Sequence, residues 1–341
     1  MKKIYLLTDY KGFFGSKHSA VPYRSGMDRE LLRKYFEDKG YTAKFLPFCD
    51  VDPANTSFKG QYVLYTSSED KDYHYKTYIE DICYALQLQG AIVIPEYKYL
   101  RANNNKVFME LLRDLCDLQI IKNLKARHFG TLEELKERSK AIEGKQVVKA
   151  AEGAMSKYVF LADDQDELLS RAKKISRTRS LFSEIWDFGR SLKRRGYIRE
   201  SKHRKKFLVQ PFVPNLPADW KILIYGKKYY LLHRQTRKND FRASGSGRFS
   251  YSENLPDGML DFAEKVFDSL NVPNLSLDVV FDGKEFYLME FQAVYFGTTT
   301  IDKAPIYFIK ENARWICCTE KSVLEQEYVN SIDLFLKEET K

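Results

Sequence analysis

Apolar positions along this chain follow two repeating patterns. Lys2 to Thr8 is a short, almost continuously apolar run, which predicts a buried strand. Met27 to Lys39 carries Leu31, Leu32, Tyr35 and Phe36 at helical spacing before Gly40 stops it. Strand-like runs recur at Tyr41 to Phe48, Gln61 to Tyr65 and Ala91 to Pro95, with a second helical stretch from Tyr78 to Gln89 closed by Gly90. Strands alternating with helices over short connections predict a small parallel α/β domain over roughly residues 1–100. Ligands of such sheets collect beyond the carboxyl ends of the strands, so the loops Tyr10 to Gly26 and Ser67 to Asp72 are the places to look there. GFFGS in the first loop lacks dinucleotide-fingerprint spacing, and an ordinary strand-to-helix connection is the plainer reading.

After that the pattern is mixed. Asn103 to Leu118 predicts a capped amphipathic helix, with Val107, Phe108, Leu111, Leu112 and Leu115 on one side and Lys106 near its start. Gln146 to Lys149 and Tyr158 to Ala162 predict strands around the small-residue loop Glu152 to Lys157. Such a loop can close over phosphates with its backbone N–H groups and Lys149, and it is equally the shape of a plain strand end. Phe207 to Val213 is a strand run, and Asp219 to Arg234 reads as strand, glycine turn, strand. Lys238 to Gly247 is a polar Gly/Ser loop carrying Arg242; Asp257 to Leu270 predicts a helix with Phe262, Val266 and Phe267 inward. Val294 to Ile301 is a small-residue turn, and the rest of the chain to Lys341 reads as helical.

Ser276 to Gln292 (SLDVVFDGKEFYLMEFQ) has the form of two strands with an Asp-Gly reversal. Asp278 and Glu290 lie inside its apolar runs, where an unpaired charge is costly. With an odd-numbered loop, for instance Asp282 to Lys284, Asp278 shares a face with Glu290 and Gln292. Those oxygen donors suit a hard cation such as Mg²⁺. An Asp at a strand end and a Glu facing water would give the same letters.

Composition bounds the partners. The chain has 341 residues and a net charge of +9, so it can bury two or three lobes, and its basic balance favours an anionic partner. Cys49, Cys83, Cys116, Cys317 and Cys318 show no metal-ligand spacing and read as reduced core thiols. The N-terminus lacks the form of a signal peptide and no run reaches transmembrane length, so a cytoplasmic location is the expectation. Arg and Lys concentrate in 170–206, with an apolar stripe of Leu181, Phe182, Ile185, Trp186 and Leu192. That segment fits a solvated helix pair, a lid that clamps an acidic substrate, or a membrane-surface helix; interleaved Glu and Asp count against nucleic acid.

Taken in order, a lysine at a helix start, VVK with a small-residue loop, VQPFV, DWKILIYGKKYYLLHR, DFRASGSG and D…EFQ resemble the ATP-grasp superfamily, above all its carboxylate–amine ligases that extend amino acids and peptides. The resemblance runs from about Asn103 to Ile301 and implies an α/β fold with α+β lobes: an N-terminal preATP-grasp domain over 1–102, a small lobe over 103–209 with the basic insertion 170–206, and a large lobe over 210–341. It implies Lys106 and Lys149 on ATP phosphates under a flap containing Gly153 and Ser156. Gln210, Phe212 and Val213 would read adenine, Pro211 having no N–H to offer, and Asp219 would meet the ribose. Asp278, Glu290 and Gln292 would hold Mg²⁺, and Arg234 and Arg242 would face the transferred phosphoryl group.

The implied activity is ATP-dependent amide formation through an acyl phosphate, with a kinase on the same fold or a non-catalytic nucleotide-binding regulator as alternatives. The implied partners are small-molecule or peptide carboxylates and amines, acidic ones included, with a homodimer and a membrane surface reached through 170–206 as further options. The sequence departs from the family pattern at Gln292 where Asn is usual, at Ala150 where Pro is usual, in the flap's single glycine, and at Ser244 where related ligases often carry Asn.

Overall fold

Every residue from Ile4 to Thr8 of strand β1 (Lys2–Thr8) is buried, because apolar layers cover both of its faces. It sits inside a parallel sheet of order β2-β1-β3-β4, with β2 at Tyr41–Pro47, β3 at Tyr62–Tyr65 and β4 at Ile92–Ile94. Helix α1 (Arg29–Asp38) is capped by the Asp28 carboxylate, which accepts from the N–H groups of Glu30 and Leu31. Its Leu32 and Phe36 join Ile4 and Leu6 on one side of the sheet, together with Val329, Ile332 and Leu336 from the C-terminal helix. Helix α2 (His74–Leu88) starts four residues before the predicted Tyr78 and buries Ile79, Cys83 and Leu86 with Tyr5, Leu7 and Val63 on the other side. Helix α3 (Tyr97–Ala102) follows β4. Gly26 in the first loop has φ +81°, and a Cβ there would stand 2.3 Å from the Phe14 carbonyl oxygen.

The structure is a computed structural model that describes residues 2–153, 158–178, 180–214, 216–236 and 247–338. Ser156 and Arg242 lie outside the described residues, as do Lys157 and Ser244. The chain forms two compact units: Met1–Asn103 with Cys116–Ile121 and Leu216–Lys341, and Asn104–Leu115 with Lys122–Asn215.

The second unit begins with helix α4 (Lys106–Leu115), shorter at both ends than its apolar pattern suggests. Around it fold β5 (Arg127–Phe129), α5 (Leu132–Arg138), β6 (Gln146–Ala150), β7 (Val159–Ala162), α6 (Gln165–Ser176), α7 (Leu181–Lys193) and β8 (Phe207–Pro211). The strands form an antiparallel sheet of order β5-β8-β6-β7. Val148, Phe207 and Val209 point to one face and pack with Leu132, Leu135, Leu168 and Ala172 of α5 and α6.

In the first unit, β9 (Ala218–Tyr225), β10 (Lys228–Gln235), β11 (Phe249–Ser250), α8 (Met259–Leu270), β12 (Asn274–Phe281), β13 (Phe286–Gln292), α9 (Thr299–Lys303), β14 (Tyr307–Glu311), β15 (Arg314–Cys318) and α10 (Leu324–Glu338) complete the chain. The strands form an antiparallel sheet of order β13-β12-β9-β10-β14-β15, with β11 against β10. Strands β14 and β15 correct the helical reading of the C-terminal stretch. Their turn uses Asn312 and Ala313 at positive φ, a hairpin geometry that Ala rarely signals. The cysteines are free, but Cys83 alone is a core residue; Cys49 is exposed and the others half-buried. Among the described residues no helix is long and apolar enough to cross a membrane.

Candidate active site

The large antiparallel sheet of the first unit changes character along one of its faces. Near α10, Leu223, Tyr225 and Tyr230 enter the apolar core and Asn274 accepts from the Ser331 hydroxyl. Further along the same face, by strand alternation, come Asp219 and Lys221 of β9, Arg234 of β10, Asp278 of β12, and Glu290 and Gln292 of β13. Register makes Arg234 the partner of Asp219, and makes Asp278 the partner of Lys221 on one side and Glu290 on the other.

The shared face of Asp278 and Glu290 has a different origin from the odd loop expected. Phe281 pairs with Phe286, which leaves the four residues 282–285 in the loop. An even loop alone would put Asp278 and Glu290 on opposite faces. A register shift between Asp278 and Val279 opposes Val279 to Leu288 but Asp278 to Glu290, so that Met289 is the extra residue of a bulge. The bulge turns the second carboxylate onto the face of the first.

Two carboxylates opposed across strands repel unless cations intervene. Here Arg234 extends Nε and Nη2 to the two carboxylate oxygens of Asp219 at 2.6 and 2.9 Å. Its Nη2 also lies 3.0 Å from Asp278 Oδ2, and Lys221 Nζ donates to Asp278 Oδ1 at 3.2 Å. The Gln292 amide donates to Glu290 at 3.4 Å. Burial works to raise the Asp278 carboxyl, but the charges of Arg234 and Lys221 outweigh it and hold the group well below the usual range. For Asp219 burial wins: despite Arg234, and with Asp278 nearby, its carboxyl is pushed up to about 6. Burial lowers and both carboxylates raise the Arg234 guanidinium, leaving it charged throughout.

Asp278, Glu290 and Gln292 fit the oxygen-only donor set that a Mg²⁺ ion takes, since a carboxylate oxygen that accepts one hydrogen bond keeps a further lone pair. Among the described residues no three His, Cys, Asp or Glu side chains gather into a metal cluster; the candidate set is two acids and an amide. Lys221 was missed in the sequence, although a lysine two residues after Asp219 in an apolar strand was its signal. Asp219 has both oxygens on Arg234, a tie that ribose hydroxyls would share.

The second unit carries the nucleotide candidates. Lys106 opens α4 with its N–H on the Ala151 carbonyl at 2.8 Å, and its ammonium donates to the Gly153 carbonyl at 3.1 Å. Gly153 takes φ +128°, a value suited to glycine. Lys149 pairs with Leu208 and Gln210 with Val147, so both side chains leave the sheet on the face opposite α5 and α6. Gln210 is 1% exposed, and neither its amide oxygen nor its amide nitrogen has a hydrogen-bond partner among the described residues. A buried amide without partners costs the fold about 1–3 kcal/mol, which a ligand can relieve. Phe212 already gives its N–H to the Lys145 carbonyl at 3.0 Å, which leaves Val213 as the next backbone donor along the strand end.

No family model matches the chain, and no curated protein does. Solved structures do. The D-cycloserine synthetase DcsG superposes with a TM-score of 0.54 at 11% identity, over 98% of this chain and 99% of that one. The macrocyclase MdnC from Microcystis aeruginosa MRC, bound with precursor peptide MdnA, matches at 0.51 and 13%, over 98% and 99%. D-alanine–D-alanine ligase from Bacillus anthracis complexed with ATP matches at 0.51 and 12%, over the full length of both chains.

The chain has the ATP-grasp fold. At these identities the likeness extends to architecture alone. The first unit also holds a partly open cavity of about 50 Å³, lined by Gly15, Tyr65, Thr66, Tyr225, Tyr295 and Tyr328 among others, beyond the carboxyl ends of β1 and β3. The loop Tyr10 to Gly26 borders it; the loop Ser67 to Asp72 does not.

Proposed function

We propose that this chain is an ATP- and Mg²⁺-dependent ligase that joins a carboxylate to an amine through an acyl phosphate. The row of Glu290 on β13, Asp278 on the neighbouring β12 and Arg234 reaching it from β10 across β9 is the observation that carries the reading, because transfer of a phosphoryl group to a carboxylate crowds negative charge into one small volume. A guanidinium held by two carboxylates is oriented before substrate arrives and costs no reorganisation during the reaction. In this reading Arg234 meets the transferred phosphoryl oxygens and Asp219 and Asp278 aim it. Asp278, Glu290 and Gln292 would hold Mg²⁺, which would supply charge neutralisation at the phosphates.

Lys106 and Lys149 take the other phosphate oxygens, with Gly153 and Ser156 in the closing loop. The Gln210 amide and the Val213 N–H read the adenine edge, with Phe212 beside them, and Asp219 also faces the ribose. Arg242 joins Arg234 at the acyl phosphate. The carboxylate oxygen attacks the terminal phosphorus and ADP leaves; the amine nitrogen then attacks the acyl carbon, phosphate leaves, and the amine proton passes to solvent. The domain division proposed for this function is 1–102, 103–209 and 210–341. The neighbours' range, from a D-alanine ligase to a macrocyclase bound to a peptide, supports small carboxylates or peptides as substrates.

The test is incubation with Mg-ATP and pools of carboxylates and amines. Phosphate release that needs both partners supports the ligase. A stable phosphorylated product would replace it with a kinase, and nucleotide binding without turnover with a regulator.

A further inference from the structure

Helix α7 is built inside out. Among the described residues it is the one α-helix with no buried residue. The side chains it does turn inward are polar: Glu184 pairs with Arg177 at 2.8 Å and Lys202 at 2.9 Å, and Asp187 accepts from the Tyr197 hydroxyl at 2.6 Å and lies 3.4 Å from Arg199. Its outward side is apolar. Leu181, Phe182, Ile185, Trp186 and Leu192 are 68–81% exposed and Phe188 is 51% exposed. At 100° per residue these six cover nearly half the circumference of the helix. Arg190, Lys193, Arg194 and Arg195, all exposed, continue from the C-terminal end of that ridge. Both acids of the helix are thus tied off toward the protein, and apolar surface with exposed cations is what remains for a partner.

We propose that α7 is an interfacial helix that lies on a bilayer surface rich in anionic lipid. The apolar ridge enters the headgroup–acyl boundary while the four cations meet lipid phosphates. Shape favours a lipid surface over a peptide. Side chains this exposed form a convex ridge, whereas a peptide helix is received in a groove. Charge favours it over a second copy, since parallel helices would bring their Arg190–Arg195 clusters against each other and antiparallel ones would leave both clusters without an anionic partner. Thirteen residues give a helix of roughly 20 Å, long enough to lie in the interface and too short to span it. Trp186 lies between Arg190 and Lys193 around the helix, the arrangement of an aromatic ring at a membrane–water boundary.

The full-length protein is mixed with vesicles of phosphatidylcholine alone, and of phosphatidylcholine and phosphatidylglycerol in equal parts, and followed by co-sedimentation and tryptophan emission. Trp220 is 8% exposed and Trp315 is half-buried with its indole N–H on Asp261, against 70% exposure for Trp186, so a blue shift reports chiefly on α7. Binding is expected to the anionic vesicles, to weaken with added salt, and to fall about a hundredfold in Phe182→Ser/Trp186→Ser, whose side chains are 81% and 70% exposed. The proposal is overturned if the wild type ignores anionic vesicles or if the double variant binds them equally well. A lipid-free dimer, seen by light scattering and split by the same substitutions, would overturn it in favour of self-association.

Discussion

Arginine and aspartate meet in two regions of this protein with opposite consequences. On the large sheet, Asp219, Lys221, Arg234 and Asp278 are held by strand register at 13–21% side-chain exposure. Along α7, Glu184 and Asp187, themselves 19% and 15% exposed, meet Arg177, Arg199 and Lys202, whose side chains are 37–42% exposed. Partial burial makes each charge in the first cluster depend on its neighbours, since removing one partner strands another. Water screens the second cluster, so its pairs orient a helix and contribute little else. The same residue types build the candidate site in one setting and a surface fitting in the other.

The sharpest break of that comparison is truncation in the first cluster. Asp278→Ala or Glu290→Ala is expected to lower ligase turnover by roughly a hundredfold or more while near-ultraviolet dichroism stays native. Normal turnover in both would remove the metal assignment. Next comes Asp219→Asn. Burial places the wild-type carboxyl at about 6, so below that pH it gains a proton and loosens its fork on Arg234. The wild-type rate should therefore carry an acid limb near pH 6, and the variant should run about tenfold slower without that limb. An unchanged limb would assign it to another group.

Gln210→Met sharpens the picture in the second unit. Removing a buried amide that lacks partners should stabilise the nucleotide-free protein by about 1 kcal/mol and weaken ATP binding about tenfold. Calorimetry in both states reads the two effects, and stabilisation without loss of ATP affinity would exclude the adenine role. The smallest effect belongs to the surface cluster: Glu184→Gln should leave the melting temperature nearly unchanged, and a large drop would show that α7's polar pairs hold more than the helix.

Much of the fold was legible in the order of apolar residues. The N-terminal strands, α1 and α8 follow their periodicity closely, because each buries one stripe or one run against its neighbours. Helix α5 went unread although Thr131 and Glu134 form its capping box, a local signal that a search for apolar stripes passes over. Strands β14 and β15 were hidden by a turn of Asn312 and Ala313 and by interleaved charges such as Lys310, which reaches Asp261 and Glu264 of α8.

By itself the sequence determined the order of the parts and the chemistry available at them: lysines at a helix start and a strand end, acids and a glutamine in a late hairpin, a basic segment with an apolar stripe. The tertiary structure alone decided which of these meet. Parity along two strands cannot foresee a bulge, and one extra residue at Met289 is what opposes Glu290 to Asp278. Nor can helical periodicity say which side of α7 faces the protein, since that depends on whether apolar packing or the ion pairs of Glu184 and Asp187 find partners there.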